Sequence, residues 1–348
     1  VYIGSILIDV YSKSQCVTDA EFVFRGLGSR KNLISWGALI NGYARNGEEM
    51  RVFKLLDEMI QEGIQPNEPI LVSSLKACGN LGSTKRVLEL HEEMEKKRLL
   101  DDNDPFVGSA LINIYSKCGL LAKAQKVLEV LCVRNVVTWS ALIGGYAQQG
   151  QGHEALECFE QMKREGIFPN MVTFTCILKA CGSTGSIKKG ERIHHEIISK
   201  GLLEKDIILG TALVDMYAKC GVLTKAQNVL EELPARNLLS WSALIAGYAQ
   251  QGQGHEALNC FDRMESEGFS PNAVTFICIL KACGSIGAID KGKQIHEQIV
   301  SRGLLKNDIV LGTALMDMYA KCGELGKAKQ VLEELSIRDI ASWNALIS

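Results

Sequence analysis

The chain has 348 residues, of which 47% are apolar and 22% charged, and its formal net charge is −2. This composition is typical of a soluble folded protein. No apolar run approaches the roughly 18 residues that predict a membrane-spanning helix. The near-neutral charge gives no global reason to expect nucleic acid, so any basic binding surface has to be local. The length fits two globular domains or one elongated array.

The cysteines do not indicate a metal or redox site. Twelve are present, and no two have C-x-x-C spacing. Six recur in register within K-A-C-G or K-C-G: Cys78, Cys118, Cys181, Cys220, Cys283 and Cys322. A small thiol repeated at the end of a predicted helix is most simply a packing residue. Free thiols in a long chain indicate a reducing compartment, and we expect no metal and no cofactor.

The sequence repeats itself closely. The stretches SALIGGYAQQGQGHEALECF, from Ser140, and SALIAGYAQQGQGHEALNCF, from Ser242, differ at two positions. Residues 136–170 and 238–272 share 24 of 35 positions, and the period of about 102 residues holds three shorter repeats marked by W-[SG]-A-L-I, L-K-A-C-G and Y-[SA]-K-C-G. The chain begins at Val1 without a methionine or a targeting segment, so we expect a piece cut from a longer protein.

The repeats are short (about 31 residues), middle (35) and long (about 36), in a fixed order. In chain order they are 1–32 short, 33–67 middle, 68–104 long, 105–135 short, 136–170 middle, 171–206 long, 207–237 short, 238–272 middle, 273–308 long and 309–339 short, and 340–348 begins another. Each reads as two helices; in 136–170 these run from about Val137 to Ala147 and from about His153 to Arg164. Ten complete helix-turn-helix repeats predict an all-α, right-handed superhelical solenoid.

One face of each first helix differs from the core face. Trp139, Leu142, Ile143 and Tyr146 cluster on one side at about 100° per residue. The opposite side carries repeat positions two, five, nine and thirteen. Lysine occupies position thirteen in the short repeats and position nine in the long ones: Lys13, Lys117, Lys219 and Lys321, then Lys76, Lys179 and Lys281. An apolar residue, a variable residue and a cation on one face predict a polar, anionic ligand.

These features resemble a known family. The repeat lengths, VTWSALIGGYA, the G-I-x-P-N ending and L-K-A-C-G are similar to pentatricopeptide repeats of the plant P-L-S subclass, over the whole chain. The short, middle and long repeats then correspond to S, P and L repeats. The resemblance implies an α-solenoid that binds single-stranded RNA, one base per repeat, in a chloroplast or mitochondrion. It further implies the target-recognition part of a C-to-U RNA editing or RNA processing factor, with editing-factor proteins docking on L repeats.

The resemblance also implies roles for individual residues. Residues at position two would sandwich bases: Tyr2, Ile34, Phe106, Val137, Val172, Ile208, Leu239, Val274 and Val310, with Pro69 departing from the pattern. Residues at position five and at the last position would specify bases: Ser5 with Asn32, Ser109 with Asn135, Ser140 with Asn170, Thr175 with Asp206, Thr211 with Asn237, Ser242 with Asn272, Thr313 with Asp339, and Asn344 in the following repeat. Lys13, Lys117, Lys219 and Lys321 would contact phosphates.

The base preferences that the resemblance implies agree with hydrogen-bonding chemistry. A small hydroxyl admits a purine and can donate or accept, and an Asn amide offers both functions, which suits adenine; an Asp carboxylate only accepts, which suits guanine. Three pairs fit no standard preference: Gly37 with Asn67, Val72 with Asp104, and Ile277 with Asp308. The resemblance implies a purine-rich RNA of roughly A-N-N-A-A-g-A-A-N-G, with a pyrimidine opposite Asn344.

Simpler alternatives stay open. The terminal Asn and Asp residues are also the best helix N-caps, and lysines commonly end helices. Trp139, Leu142, Tyr146, Ala155 and Phe159 match tetratricopeptide spacing, so a peptide-binding scaffold is the alternative function. His91-x-Glu93 and His194-x-Glu196 match half of a zinc deaminase signature, but the P-C-x-x-C half is absent. We therefore expect no catalytic site in this chain, although a catalytic domain in a longer protein fits the resemblance.

Overall fold

The computed structural model describes residues 2–81, 84–96, 105–204, 206–306 and 308–335, and within them it contains 20 α-helices and no strand. The first ten helices are α1 (Tyr2–Lys13), α2 (Val17–Gly26), α3 (Leu33–Arg45), α4 (Glu49–Gln61), α5 (Glu68–Leu81), α6 (Thr84–Lys96), α7 (Pro105–Lys117), α8 (Leu121–Val130), α9 (Val136–Gln148) and α10 (Gly152–Arg164). The others are α11 (Met171–Thr184), α12 (Ile187–Ser199), α13 (Ile207–Lys219), α14 (Leu223–Glu232), α15 (Leu238–Gln250), α16 (Gly254–Ser266), α17 (Ala273–Ile286), α18 (Ile289–Ser301), α19 (Ile309–Lys321) and α20 (Leu325–Glu334). Short 3₁₀ turns span Gly28–Arg30 and Leu304–Lys306.

Odd-numbered helices are the first helices of the predicted repeats and even-numbered ones are the second helices. The chain divides into an N-terminal half, 1–176, and a C-terminal half, 177–348. In the N-terminal half α1, α3, α5, α7 and α9 pack successively against one another; in the C-terminal half α13, α15, α17 and α19 do so. Most second helices contact both their own first helix and the next one, as α8 contacts α7 and α9. The predicted all-α solenoid class of paired helices is confirmed.

Glycine residues explain where the helices end. Gly150 has φ of 77° and follows α9, and Gly166 has φ of 75° and follows α10. This left-handed conformation suits glycine because other residues place a Cβ against the backbone. The boundaries predicted for 136–170 lie within two residues of those observed for α9 and α10.

The core contains the predicted stripes. Trp36, Trp139 and Trp241 are at most 1% exposed, and the middle-repeat Phe159 and Phe261 are also buried.

All twelve cysteines lie in described residues and are free thiols. Burial raises the pKa of Cys78, Cys181 and Cys283 to about 12, so these thiols stay neutral and act as packing groups. Among the described residues, no helix is both long and apolar enough to cross a membrane.

Close contact between consecutive first helices depends on small residues. A Cβ atom added to Gly145 would lie 2.4 Å from the Ser116 side chain, and one added to Gly247 would lie 2.8 Å from the Ala218 Cβ. Both distances are below van der Waals contact, so the glycine of G-Y-A permits the short repeat and the middle repeat to approach. The preceding residue is less constrained, because a Cβ on Gly144 would meet only the Cys176 Sγ, at 3.2 Å.

A buried tyrosine links the first helix of a short or middle repeat to the second helix before it. In middle repeats the Tyr146 and Tyr248 hydroxyls donate to glutamine side chains, those of Gln125 and Gln227, at 2.7 Å. In short repeats the partner is instead a histidine: His194 Nδ1 lies 2.9 Å from the Tyr217 hydroxyl, and His296 Nδ1 lies 2.9 Å from the Tyr319 hydroxyl. Burial lowers the pKa of both histidines below the ordinary value of 6.5.

The glycine contact gives a stability prediction. Gly145→Ala should destabilise the protein, because overpacking costs about 1–3 kcal/mol and the better helix propensity of alanine returns only about 1 kcal/mol. Gly144→Ala is the matched control, since Ala246 already occupies the equivalent position of the next middle repeat. Chemical denaturation followed by circular dichroism measures both. Equal stability of the two variants would show that this contact does not limit helix approach.

The histidines predict a pH dependence. A group whose pKa is lower in the folded state binds a proton first in the unfolded state, so stability is present above pH 6.5 and declines as pH falls below it. His194→Gln/His296→Gln copies the glutamine partners of the middle repeats. Its melting temperature should therefore change less between pH 7 and pH 5 than that of the wild type. Parallel curves for the two proteins over this range would contradict the assignment.

Candidate nucleic-acid interface

Exposed apolar residues occur at position two of the first helices. Their exposed fractions range from 55% for Val137 to 77% for Tyr2. The series comprises Tyr2, Ile34, Val137, Val172, Ile208, Leu239, Val274 and Val310; the Phe106 side chain lies outside the described residues. A large apolar side chain left in solvent at the same place in repeat after repeat indicates a binding surface more than a packing one.

Hydroxyl groups lie one helical turn beyond most of these residues, on the same face; Gly37 and Ile277 are the exceptions. Ser5, Ser140 and Ser242 are only 6–7% exposed, and the others are half-buried: Ser109, Thr175, Thr211 and Thr313. In the N-terminal half, Tyr2, Ser5, Ile34, Asn67 and Pro69 line one cleft of about 390 Å³. A cleft of this volume is within the range of small-ligand pockets.

The last residue of most repeats caps the next first helix. The capping interpretation is confirmed for seven residues, whose side-chain oxygen accepts a hydrogen bond from a backbone N–H two or three residues later: Asn32, Asn67, Asn135, Asp206, Asn237, Asn272 and Asp308. Asn170 does the same with the Thr173 N–H, at 2.9 Å. Asp339 and Asn344 lie outside the described residues.

Capping fixes the orientation of the side-chain amide. A backbone N–H can only donate, so the atom that it contacts must be the amide oxygen. The Asn Nδ2 group, with two donors, therefore points away from the helix. An Asp at the same place presents its second oxygen, which only accepts. Capping thus uses one end of the side chain and leaves the other end available to a ligand.

The structure joins the fifth and last residues in three repeats. Asn237 Nδ2 donates directly to Thr211 Oγ1, at 3.1 Å. In two middle repeats a threonine connects them: Ser140 Oγ lies 2.6 Å from Thr173 Oγ1, which donates to Asn170 Oδ1 at 2.9 Å. Ser242, Thr275 and Asn272 repeat this arrangement at 2.7 Å and 2.9 Å.

The hydroxyl protons are already used. Thr175, Thr211 and Thr313 donate to the backbone carbonyl four residues earlier, at 2.8–2.9 Å. Ser140 donates to Thr173, whose own proton goes to Asn170. These hydroxyls therefore offer a ligand only acceptor lone pairs, beside the donors of the Asn amides. The sequence had suggested that each could either donate or accept.

The predicted phosphate-binding lysines have acidic neighbours. Lys13, Lys219 and Lys321 form ion pairs with Asp9, Asp215 and Asp317, four residues earlier, at 2.6–2.7 Å. In the 105–135 repeat the corresponding position is Asn113, before Lys117. The long-repeat Lys179 and Lys281 are exposed and make no ion pair in the described part of the chain. The sequence analysis missed the aspartates, although they recur at position nine.

Comparison with known proteins identifies the family. Family models described as "PPR repeat family" match residues 134–183 and 236–285, and those described as "PPR repeat" match 34–64, 75–99, 109–136, 172–202 and 313–340. A pentatricopeptide repeat-containing protein of Arabidopsis thaliana named as chloroplastic is 35% identical over the whole chain, which covers 56% of that protein. Another from Arabidopsis thaliana, named as mitochondrial, is 34% identical and is covered over 62% of its length.

Solved structures agree on the fold. The pentatricopeptide repeat protein PPR10 in complex with an 18-nt psaJ RNA element superposes with a TM-score of 0.80 at 18% identity, covering 99% of this chain and 52% of that one. A second crystal structure, of PPR10 from maize, gives a TM-score of 0.52 at 20% identity and covers 99% of this chain and 55% of that one. The chain spans about half to three-fifths of these relatives. From the family models and the sequence matches over the whole of this chain, the chain belongs to the pentatricopeptide repeat family.

Proposed function

We propose that the chain binds single-stranded RNA sequence-specifically, one base per repeat. The observation that carries the proposal is the oriented Asn amide beside an acceptor hydroxyl, one turn below an exposed apolar residue. Such a position offers stacking to a base face and hydrogen bonds to its pairing edge. The relatives named as chloroplastic and mitochondrial and PPR10 in complex with RNA support binding of RNA in an organelle.

The proposal of a subclass follows from the fixed order of short, middle and long repeats. Alternating repeats of about 31, 35 and 36 residues favour the P-L-S subclass, with the repeat boundaries given above. The chain would then supply target recognition to an RNA editing or RNA processing factor, with no catalytic site of its own, and its L repeats would dock editing-factor proteins. The preferred RNA would be roughly A-N-N-A-A-g-A-A-N-G.

One substitution separates capping from base recognition. In Asn170→Asp the oxygen that accepts from Thr173 is retained, so stability should hardly change. The outward donor becomes an acceptor, which should shift preference from adenine towards guanine at the base facing Ser140. A base contact of this kind discriminates by about 1–3 kcal/mol, or roughly tenfold to a hundredfold.

The measurement is competitive binding of RNAs that differ only at that base. Asn272→Asp should produce the same shift three repeats later and independently, because the two sites share no partners. An unchanged adenine preference in both variants would mean that these residues act only as caps.

The lysine ion pairs give a second test of the interface. Asp215→Asn releases Lys219 from an exposed pair, whose loss costs little stability. RNA affinity should rise, and its dependence on salt should steepen by up to about 0.7 log units per log unit of salt. Lys179→Gln should make the dependence shallower by a similar amount.

The control is Asp262→Asn, which changes net charge equally but releases Lys291, an ion pair at 2.6 Å between second helices α16 and α18. Filter binding between 50 and 300 mM salt measures all three variants. If Asp262→Asn alters the slope as much as Asp215→Asn does, overall charge is responsible and the first-helix face is not the RNA surface.

A further inference from the structure

Two buried threonines connect the paired residues of the middle repeats. Thr173 and Thr275 are the third residues of α11 and α17, and both are 0% exposed. A buried hydroxyl is costly unless it is hydrogen-bonded. The partners of both hydroxyls are residues that the proposed function assigns to base recognition, on either side: Ser140 and Asn170 for the first, Ser242 and Asn272 for the second.

Hydrogen-bonding chemistry assigns the protons of this arrangement. Asn170 Oδ1 has no proton, so Thr173 Oγ1 must donate to it across their 2.9 Å separation. Thr173 has a single hydroxyl proton, so at 2.6 Å the Ser140 hydroxyl must be the donor to Thr173. Asn170 Oδ1 thus accepts twice from Thr173, from its backbone N–H and from its hydroxyl. Two bonds hold the amide oxygen, and one of them comes from a side-chain hydroxyl.

The corresponding residue behaves differently after short repeats. Ser35, Thr138 and Ser240 are also third residues of their helices, but their hydroxyls donate to the backbone carbonyl of the cap residue, at 2.8–2.9 Å. They complete a capping box around the backbone and do not bond the amide oxygen. The side-chain connection is therefore a feature of the middle-to-long junction and not of capping in general.

The first middle repeat provides an internal comparison. There Gly37 stands in place of the serine and Ile70 in place of the threonine. A Cβ on Gly37 would lie 3.4 Å from Ile70 Cγ1, so the two positions face each other in this repeat too. Asn67 Oδ1 accepts from the Ile70 N–H at a longer 3.4 Å. Among the three middle repeats the serine and the threonine are present together or absent together.

We propose that Thr173 and Thr275 are specificity-determining positioning residues that set the proton pattern shown to the base by the Ser140/Asn170 and Ser242/Asn272 pairs. The threonine accepts the serine proton, so the serine can only accept a hydrogen bond from the base. It also donates to the amide oxygen, so the amide donors point outward. This proposal rests on the proposed RNA-binding function. It adds a third position, three residues after the last residue of the middle repeat, to the two that specify the base.

The first experiment removes the hydroxyl alone. Thr173→Val keeps the side-chain shape and the bond from the Thr173 N–H to Asn170 Oδ1. It frees the serine proton, releases one bond to the amide oxygen, and removes the acceptor of the Asn170 backbone N–H, at 3.2 Å. The adenine-over-guanine ratio at the base facing Ser140 should fall by about fivefold, the effect of one hydrogen bond, while Thr173→Ser restores it. Competition between two RNAs on one protein sample gives this ratio independently of how much protein is folded.

The matched control is Thr138→Val, which removes the same hydroxyl from a capping box and should leave discrimination at the base facing Ser109 unchanged. Wild-type protein that binds RNA without base preference would refute the proposed function itself. Wild-type discrimination that survives Thr173→Val and Thr275→Val would overturn only the positioning role.

A second experiment builds the arrangement where it is missing. Gly37→Ser supplies the serine, and Gly37→Ser/Ile70→Thr supplies both hydroxyls opposite Asn67. The double variant should gain about fivefold more adenine discrimination at the base facing residue 37 than the single variant, again the effect of one hydrogen bond. Equal gains in the single and double variants would show that the threonine is not required.

Discussion

The first backbone N–H groups of a helix have no acceptor within that helix, and in this protein an Asn or Asp at the end of the preceding repeat supplies one. Asn135 accepts from the Val137 and Thr138 N–H groups, at 2.9 and 3.0 Å, and Asp206 similarly accepts from Ile208 and Leu209. Because only oxygen can accept, the cap decides which atom of the side chain faces outward. In the proposed function, a requirement of helix formation thereby becomes an element of base recognition.

The repeated architecture keeps this geometry the same from one copy to the next. The distance between the serine and threonine hydroxyl oxygens is 2.6 Å for Ser140 and Thr173 and 2.7 Å for Ser242 and Thr275. Small residues such as Gly145 and Gly247 let consecutive first helices approach closely. With the framework fixed, differences between repeats reduce to a few side chains: serine or threonine, asparagine or aspartate, an aspartate beside the lysine or none. These differences between side chains determine the proposed RNA sequence.

The sequence predicted the paired helices, their boundaries and the buried stripes, because periodicity and glycine punctuation are local properties. The family resemblance paired the fifth and last residues of each repeat, and Thr211 and Asn237 are hydrogen-bonded to each other; that such pairs specify a base stays a prediction. It could not predict the direction of each hydroxyl proton, which depends on contacts 33 residues apart such as that between Ser140 and Thr173. Thr173 and Thr275 follow a repeat-ending asparagine by three residues, but so do Ser35, Thr138 and Ser240, so this spacing alone could not single them out. The pairing of Lys219 with Asp215 was visible as an i, i+4 spacing.

The central claim is that one asparagine side chain caps a helix with its oxygen and donates a hydrogen bond to a base with its nitrogen. Residue-selective ¹⁵N labelling of asparagine and threonine allows both ends to be observed by NMR during titration with a matching single-stranded RNA. The account predicts that the Asn170 Nδ2 resonance shifts on binding while the Thr173 backbone amide keeps its position and its protection from hydrogen exchange. Loss of protection at the Thr173 amide, with no change at Asn170 Nδ2, would contradict it.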